Sequence, residues 1–191
     1  MYNCTKINQQ TMKKILLAVI VSLSIIVIPS CKKGEDDPFI SIRSRDARIT
    51  AKWKLVNLES TSSGPSSTTT SVLNGSLLTV TYTSPSYGSS SSTSSYSLDL
   101  EINSDGTSSS TEILDGDIST SKSTWNWKND NNDKTSIYLY GGNAYFFGGS
   151  YTVDRLSSKE LILRYESSSS STSNSQTTTS NNKDVLTFEK Q

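Results

Sequence analysis

Beyond residue 38 no window of the chain sustains a helical period, whereas apolar and polar residues repeatedly alternate with a period of two. The cleanest case is Tyr96-Ser97-Leu98-Asp99-Leu100-Glu101-Ile102, with Leu98, Leu100 and Ile102 on one face and Asp99 and Glu101 on the other. That is the pattern of a strand with one buried face. Asn103-Ser104-Asp105-Gly106 follows and supplies an Asp-Gly turn, a strong short-range hairpin signal. Trp53–Leu55, Leu78–Thr83, Thr111–Leu114, Thr124–Lys128 and Ser136–Tyr140 read as further strands. Ala144–Phe147 with Tyr151–Leu156, then Glu160–Tyr165 and Val185–Glu189, complete the set. Eight or nine strands at such short spacing predict an all-β fold, either a closed or nearly closed antiparallel barrel or a sandwich. The one helical stretch is Ile40–Ile49, an amphipathic turn or two ahead of the first strand.

Serine and threonine make up 62 of the 191 residues, 40 and 22 respectively. They concentrate in three tracts, Ser60–Ser71, Ser84–Ser95 and Ser167–Asn182. Such runs bury nothing that would offset the entropy of ordering, so the tracts are expected to be exposed, mobile connections. Lengthening a loop costs little, which favours simple loop expansion over a glycosylated or adhesive surface. The remaining 120 or so residues suffice for one small barrel.

The first thirty residues read as an address. Lys13 and Lys14 precede a 14-residue apolar run, Ile15–Ile28, broken only by Ser22 and Ser24. A charged start and an apolar run of this length fit a secretory signal. As a helix the run spans about 21 Å, short of the ~30 Å hydrocarbon core of a bilayer. Met12 is read as the true start. The run ends at Ile28-Pro29-Ser30-Cys31, which resembles the lipobox of bacterial lipoproteins, whose cysteine is acylated and becomes the first mature residue. The alternative is an ordinary signal peptide with a coincidental cysteine. Acylated Cys31 would then attach the chain to a membrane, with residues 31–38 as an acidic tether and 39–191 as the folded domain. Lys32-Lys33-Gly34-Glu35-Asp36-Asp37 is similar to the surface-export signal of Bacteroidetes lipoproteins. The resemblance implies the outer membrane and its outward face, the periplasmic face being the alternative.

Several residues after the tether resemble the lipocalin-like lipoproteins of Bacteroidetes. Arg43-Ser44-Arg45-Asp46-Ala47-Arg48 followed by Ala51-Lys52-Trp53-Lys54-Leu55 looks like their short helix running into a Trp-bearing first strand. Asp105-Gly106-Thr107, Trp125-Asn126-Trp127, Tyr151–Leu156 and Lys159-Glu160-Leu161 are similar to later family features. Ala51 stands where lipocalins carry glycine. The resemblance covers nearly all of residues 39–191 and implies an up-and-down β-barrel, hollow or filled.

The inward residues would be Trp53, Leu98, Leu100, Ile102, Trp125, Trp127, Ile137, Leu139, Leu161, Leu163 and Phe188. They either line a cavity for a small apolar ligand or simply form a packed core, since an eight-stranded barrel is wide enough for one or the other. Catalytic chemistry is the poorest reading. The chain has no histidine, so the commonest general base and metal ligand is missing, and no Gly-x-Ser-x-Gly occurs. A Ser-Lys pair is the one nucleophilic arrangement the composition leaves open. Asn129–Asp133 offers oxygen ligands for Ca²⁺ but lacks the glycine and distal glutamate of a calcium loop, so it reads as a turn, as does Asp115-Gly116-Asp117. No metal, cofactor or catalytic residue is assigned. Eighteen basic and eighteen acidic residues cancel, which excludes nucleic acid as a partner. The expected roles are a lipid-anchored binder of a small apolar molecule, or a non-enzymatic accessory subunit of an outer-membrane protein complex.

Overall fold

The computed structural model describes residues 43–128, 134–140, 148–173 and 176–191. A short helix, α1 (Arg45–Ile49), leads into ten strands: β1 (Lys52–Ser63), β2 (Thr68–Asn74), β3 (Leu77–Ser84), β4 (Gly88–Ile102) and β5 (Thr107–Leu114). After them come β6 (Asp117–Trp127), β7 (Ser136–Tyr140), β8 (Gly149–Leu156), β9 (Glu160–Ser173) and β10 (Gln176–Lys190). Each strand pairs antiparallel with the next, and β10 returns to β1, closing an up-and-down barrel rather than a sandwich. Cys31, Asn129–Asp133 and Ala144–Phe147 lie outside the described residues, as does most of the stretch before Arg45 that was read as helix.

β1 has two neighbours on one side. Its first residues pair with β4, Trp53 opposite Leu100, while Asn57–Ser63 pair with β2. The β2–β3 hairpin is therefore a wedge between β1 and β4 along half their length. Its tip rests on β4, where Tyr96 N–H donates to the Ser76 carbonyl at 2.8 Å. An extra residue between Leu55 and Asn57 shifts the register of β1, so that Leu55 and Leu58 both face inward.

The three serine tracts are strands, contrary to the loops expected of them. Ser60–Ser71 supplies the end of β1 and the start of β2, Ser84–Ser95 most of the outer half of β4, and Ser167–Asn182 the outer halves of β9 and β10. They bury little, but they extend strands already anchored in the core, so each added residue completes a ladder whose register is set. Facing hydroxyls join across the ladder, as in Thr79–Thr93 at 3.3 Å, Ser171–Thr178 at 3.1 Å and Thr172–Thr177 at 3.0 Å. Such pairs contribute about 0.2–1 kcal/mol each.

The apolar core fills the half of the barrel next to α1. Ile49, Trp53, Leu58, Leu98, Ile137, Leu156, Leu161, Leu163, Leu186 and Phe188 are completely buried there. The helix caps that end. Ser44 accepts from Ala47 N–H as its N-cap, and the Arg48 guanidinium donates to the Leu156 carbonyl across the rim. Trp53 donates its indole N–H to the Ile49 carbonyl at 2.8 Å, and Trp127 donates to Asp46 at 2.6 Å. Trp125 closes the Asn103–Gly106 turn by donating to the Asn103 carbonyl at 2.7 Å. At the opposite end of the β5–β6 hairpin, Asp115 and Gly116 both have positive φ (51° and 94°), which makes Asp115-Gly116 a two-residue type I′ turn.

Candidate binding pocket at the barrel mouth

Register fixes which side chains point into the open half. On β4 the inward series Leu98, Leu100, Ile102 continues backwards through Tyr96, Ser94 and Ser92. Opposite Leu98 on β5 stands Glu112, and opposite Tyr96 stands Leu114. On β3 the inward residues are Leu78 and Val80, and on β2 Ser71 faces Val80. These eight side chains line a pocket of about 170 Å³ where the core gives way to the serine-rich half. Its walls are mostly apolar.

One polar pair is set into those walls. The Tyr96 hydroxyl donates to Glu112 Oε1 at 2.8 Å. Burial, reinforced by that hydrogen bond, pushes the Tyr96 phenol far above its ordinary value, so it stays a donor at any physiological pH. Glu112 is half-buried, and among the described residues it has no ion-pair partner.

A second carboxylate enters the barrel from β10. Asp184 lies between Ser60 and Tyr165 in the ladder and accepts from Ser60 Oγ at 2.6 Å. Tyr151 and Tyr165 pack beside it with ring centroids 5.8 Å apart. Burial, with the Asp184 charge, raises the Tyr151 phenol in the same way. The Tyr165 ring packs over Gly149, where an added Cβ would meet it at 3.5 Å, an ordinary contact.

All eleven residues expected to face inward do so, and they converge. Trp53, Leu98, Leu100, Ile102, Trp125, Ile137, Leu139, Leu161, Leu163 and Phe188 belong to one buried cluster, and Trp127 packs against it, half-buried. None of the eleven lines the mouth pocket, which uses their neighbours instead. Tyr96, Glu112, Asp184 and the inward serines escape a reading of hydrophobic periodicity because polar residues on the inner face break the alternation. The available signal is parity. Tyr96 is two residues before Leu98, and in the run Thr111–Leu114 the acid Glu112 shares a face with Leu114.

A shallower groove on the outer surface lies among Lys52, Asp99, Glu101, Ser109, Thr111 and Gln191. Two polar pairs lie across it, Gln191 donating to Asp99 at 2.7 Å and Lys52 3.6 Å from Glu101. Among the described residues no helix is long and apolar enough to cross a membrane, and no three acidic or thiol groups cluster as metal ligands. No family model, curated protein or solved structure matches the chain.

Proposed function

We propose that this chain is a lipid-anchored envelope protein whose barrel mouth holds a small amphiphile with an apolar body and a cationic head. The observation that carries this reading is Glu112, a carboxylate turned into an apolar pocket with a phenol on one oxygen and no cation beside it among the described residues. An ammonium group there would gain a charge-assisted hydrogen bond, while its carbon chain lies against Leu78, Val80 and Leu114. The apolar run Ile15–Ile28 ending at Cys31 supports anchoring at the outer membrane, with the outward face preferred over the periplasmic one. The pocket's serines have no imidazole to activate them, so binding rather than turnover is the function proposed.

Titration with hexylammonium, hexanol and hexanoate, followed by two-dimensional NMR, tests the reading. Hexylammonium should bind roughly tenfold or more tightly than hexanol, as expected for one hydrogen bond to a charged group. Glu112→Gln should abolish that preference. Binding of hexanoate in preference to the amine, or no binding of any of the three, would sink it.

A second reading, an accessory subunit working through protein contacts, draws on the outer surface. Ile113 on β5 faces Ile118 on β6. Across Ser95 and Ser97 of β4 stand Leu77 on β3 and, diagonal to it, Val72 on β2, whose direct partners are Asn74 and Thr79 respectively. Ile118 is 71% exposed and Leu77 52%.

A further inference from the structure

β4 runs on past its partner. Residues Tyr96–Ile102 pair with β5, whereas Gly88–Ser95 pair only with β3. Successive residues of an antiparallel strand send their backbone N–H and C=O to opposite sides. The sides are fixed here by the bonds made. Tyr96 N–H goes to Ser76 and Ile102 N–H to Ala51, so even-numbered residues of β4 face β3 and β1. Ser95 faces the other way, donating its N–H to the Asp115 carboxylate at 2.7 Å and accepting from Asp115 N–H at 2.9 Å. Ser89, Ser91 and Thr93 share its parity. Their N–H and C=O groups therefore point out of the sheet, and among the described residues they have no backbone partner.

Natural proteins protect such an edge with lysine, proline or a bulge. Gly88–Ser95 reads Gly-Ser-Ser-Ser-Ser-Thr-Ser-Ser, with no charge and no proline, and its register against β3 is unbroken. Its side chains are small hydroxyls on both faces. A charged peptide would find no counter-charge there and an apolar one no pocket on the outer face, the pocket that Ser92 and Ser94 line lying on the inner one. An uncharged serine strand with the same outward groups at the same two-residue spacing fits, and a second copy of this edge supplies it. Identical charged edges would repel; this one does not.

We infer that two copies of the chain join β4 to β4, antiparallel about a two-fold axis at Ser91, with Ser91 facing Ser91 and Ser89 facing Thr93. Odd positions then face odd positions, the arrangement in which paired residues exchange both hydrogen bonds. Each copy donates three N–H groups, from Ser89, Ser91 and Thr93, so the ladder holds twice three, or six, bonds. Asp115 already occupies Ser95 and ends the ladder there. A two-fold contact closes on itself and stops at the dimer. So short a ladder is a reversible contact at the small end of interface sizes.

Cysteine cross-linking of the full chain in detergent, with Cys4 and Cys31 replaced by serine, tests the register. Ser91→Cys should oxidise to a disulfide dimer, because a hydrogen-bonded antiparallel pair holds its Cα atoms about 5.5 Å apart. Ser90→Cys, which would face Ser92, should not. Any association through the leader is common to both variants, so the contrast isolates the edge. Ser91→Pro removes an N–H that no strand among the described residues uses. Its melting should match the parent, while the concentration-dependent hydrogen-exchange protection of residues 88–95 should vanish. Equal cross-linking of Ser90→Cys and Ser91→Cys, none from either, or protection surviving Ser91→Pro would overturn the inference.

Discussion

Asp46 ties the helix to the barrel. Its carboxylate accepts from the Trp127 indole at 2.6 Å and from the Lys134 ammonium, while Arg45 sits 5.8 Å over the Trp127 ring. Burial alone would raise the Asp46 carboxyl, but the hydrogen bonds from Lys134 and Trp127 outweigh it and hold the group below its usual range. A carboxyl whose folded value is depressed contributes stability that is fully present above the unfolded value and is lost as pH falls through the folded one. Asp46→Asn should therefore cost about 1 kcal/mol near neutrality, a figure kept small because the group is half exposed. The difference from the parent should be constant above about pH 5 and shrink below the ordinary carboxyl value of 3.8. Urea titrations between pH 7 and pH 2 check this, and a gap that widens in acid would contradict it. Single polar residues such as Asp46 show how far sequence reading goes. The apolar partners of the core declare themselves by alternation, but nothing local says that Asp46 reaches Trp127, 81 positions away. Glu112 is half hidden for the same reason: its parity with Leu114 hints at a shared face, but only the register of β4 against β5 sets it opposite Leu98.

Within one strand the two halves differ in what holds them. In β9 and β10 the inner stretches pair Leu161 with Phe188 and Leu163 with Leu186, all completely buried. The outer stretches, Ser167–Ser173 and residues 176–182, continue the ladder with hydroxyl pairs and carry no apolar side chain. Local opening is easiest where few apolar contacts must break. Amides of residues 168–173 and 177–182 should thus exchange at close to unprotected rates, and those of 161–163 and 186–188 only through global unfolding. Exchange mass spectrometry with short peptides resolves the two. Uniform protection along β9 would show that the hydroxyl ladders hold the arms more firmly than their pairwise energies allow. The same division explains which elements the sequence discloses. Tyr96–Ile102 is legible because its two faces differ in chemistry. Gly88–Ser95, its own continuation, has serine or threonine on both faces after the first glycine, so a period of two leaves no trace. The remaining hints are the absence of proline from the strand segments of the tracts and the threonines, which favour extended backbone. Set against the entropy of ordering, they are too weak to predict a strand without knowing that its inner half is anchored.

At the scale of the whole molecule, closure depends on the first and last strands of the barrel meeting. β1 and β10 pair along ten positions, from Trp53–Lys190 to Ser63–Asn181, and every other ladder needs only chain neighbours or the short detour to β4. That junction also carries core: Leu55 faces Phe188 and Leu58 faces Leu186. The serine arm of β9 and β10 lies beyond it except for Asn181 and Asn182, which pair with Ser63 and Ser62 at its outer end. The barrel should therefore be separable from the arm. Glu166 and Lys183 stand opposite each other with their charged groups 3.8 Å apart, a site suited to a two-residue turn. Replacing residues 167–182 by Asn-Gly should leave a cooperative thermal transition within about 4 °C of the parent, because the removed residues bury almost nothing and shortening a connection changes closure entropy only slightly. Phe188→Ala, which empties the junction itself, should lose about 3–5 kcal/mol and lower the midpoint by roughly 10 °C. Near-UV circular dichroism of Trp53, Trp125 and Trp127 reads both variants, since all three indoles sit in the half nearest α1. If the shortened chain melts without cooperativity while Phe188→Ala is tolerated, the serine ladders rather than the apolar junction would be what closes the barrel. The burial along β10, complete at Leu186 and Phe188 and slight from residue 177 to 183, argues for the opposite order.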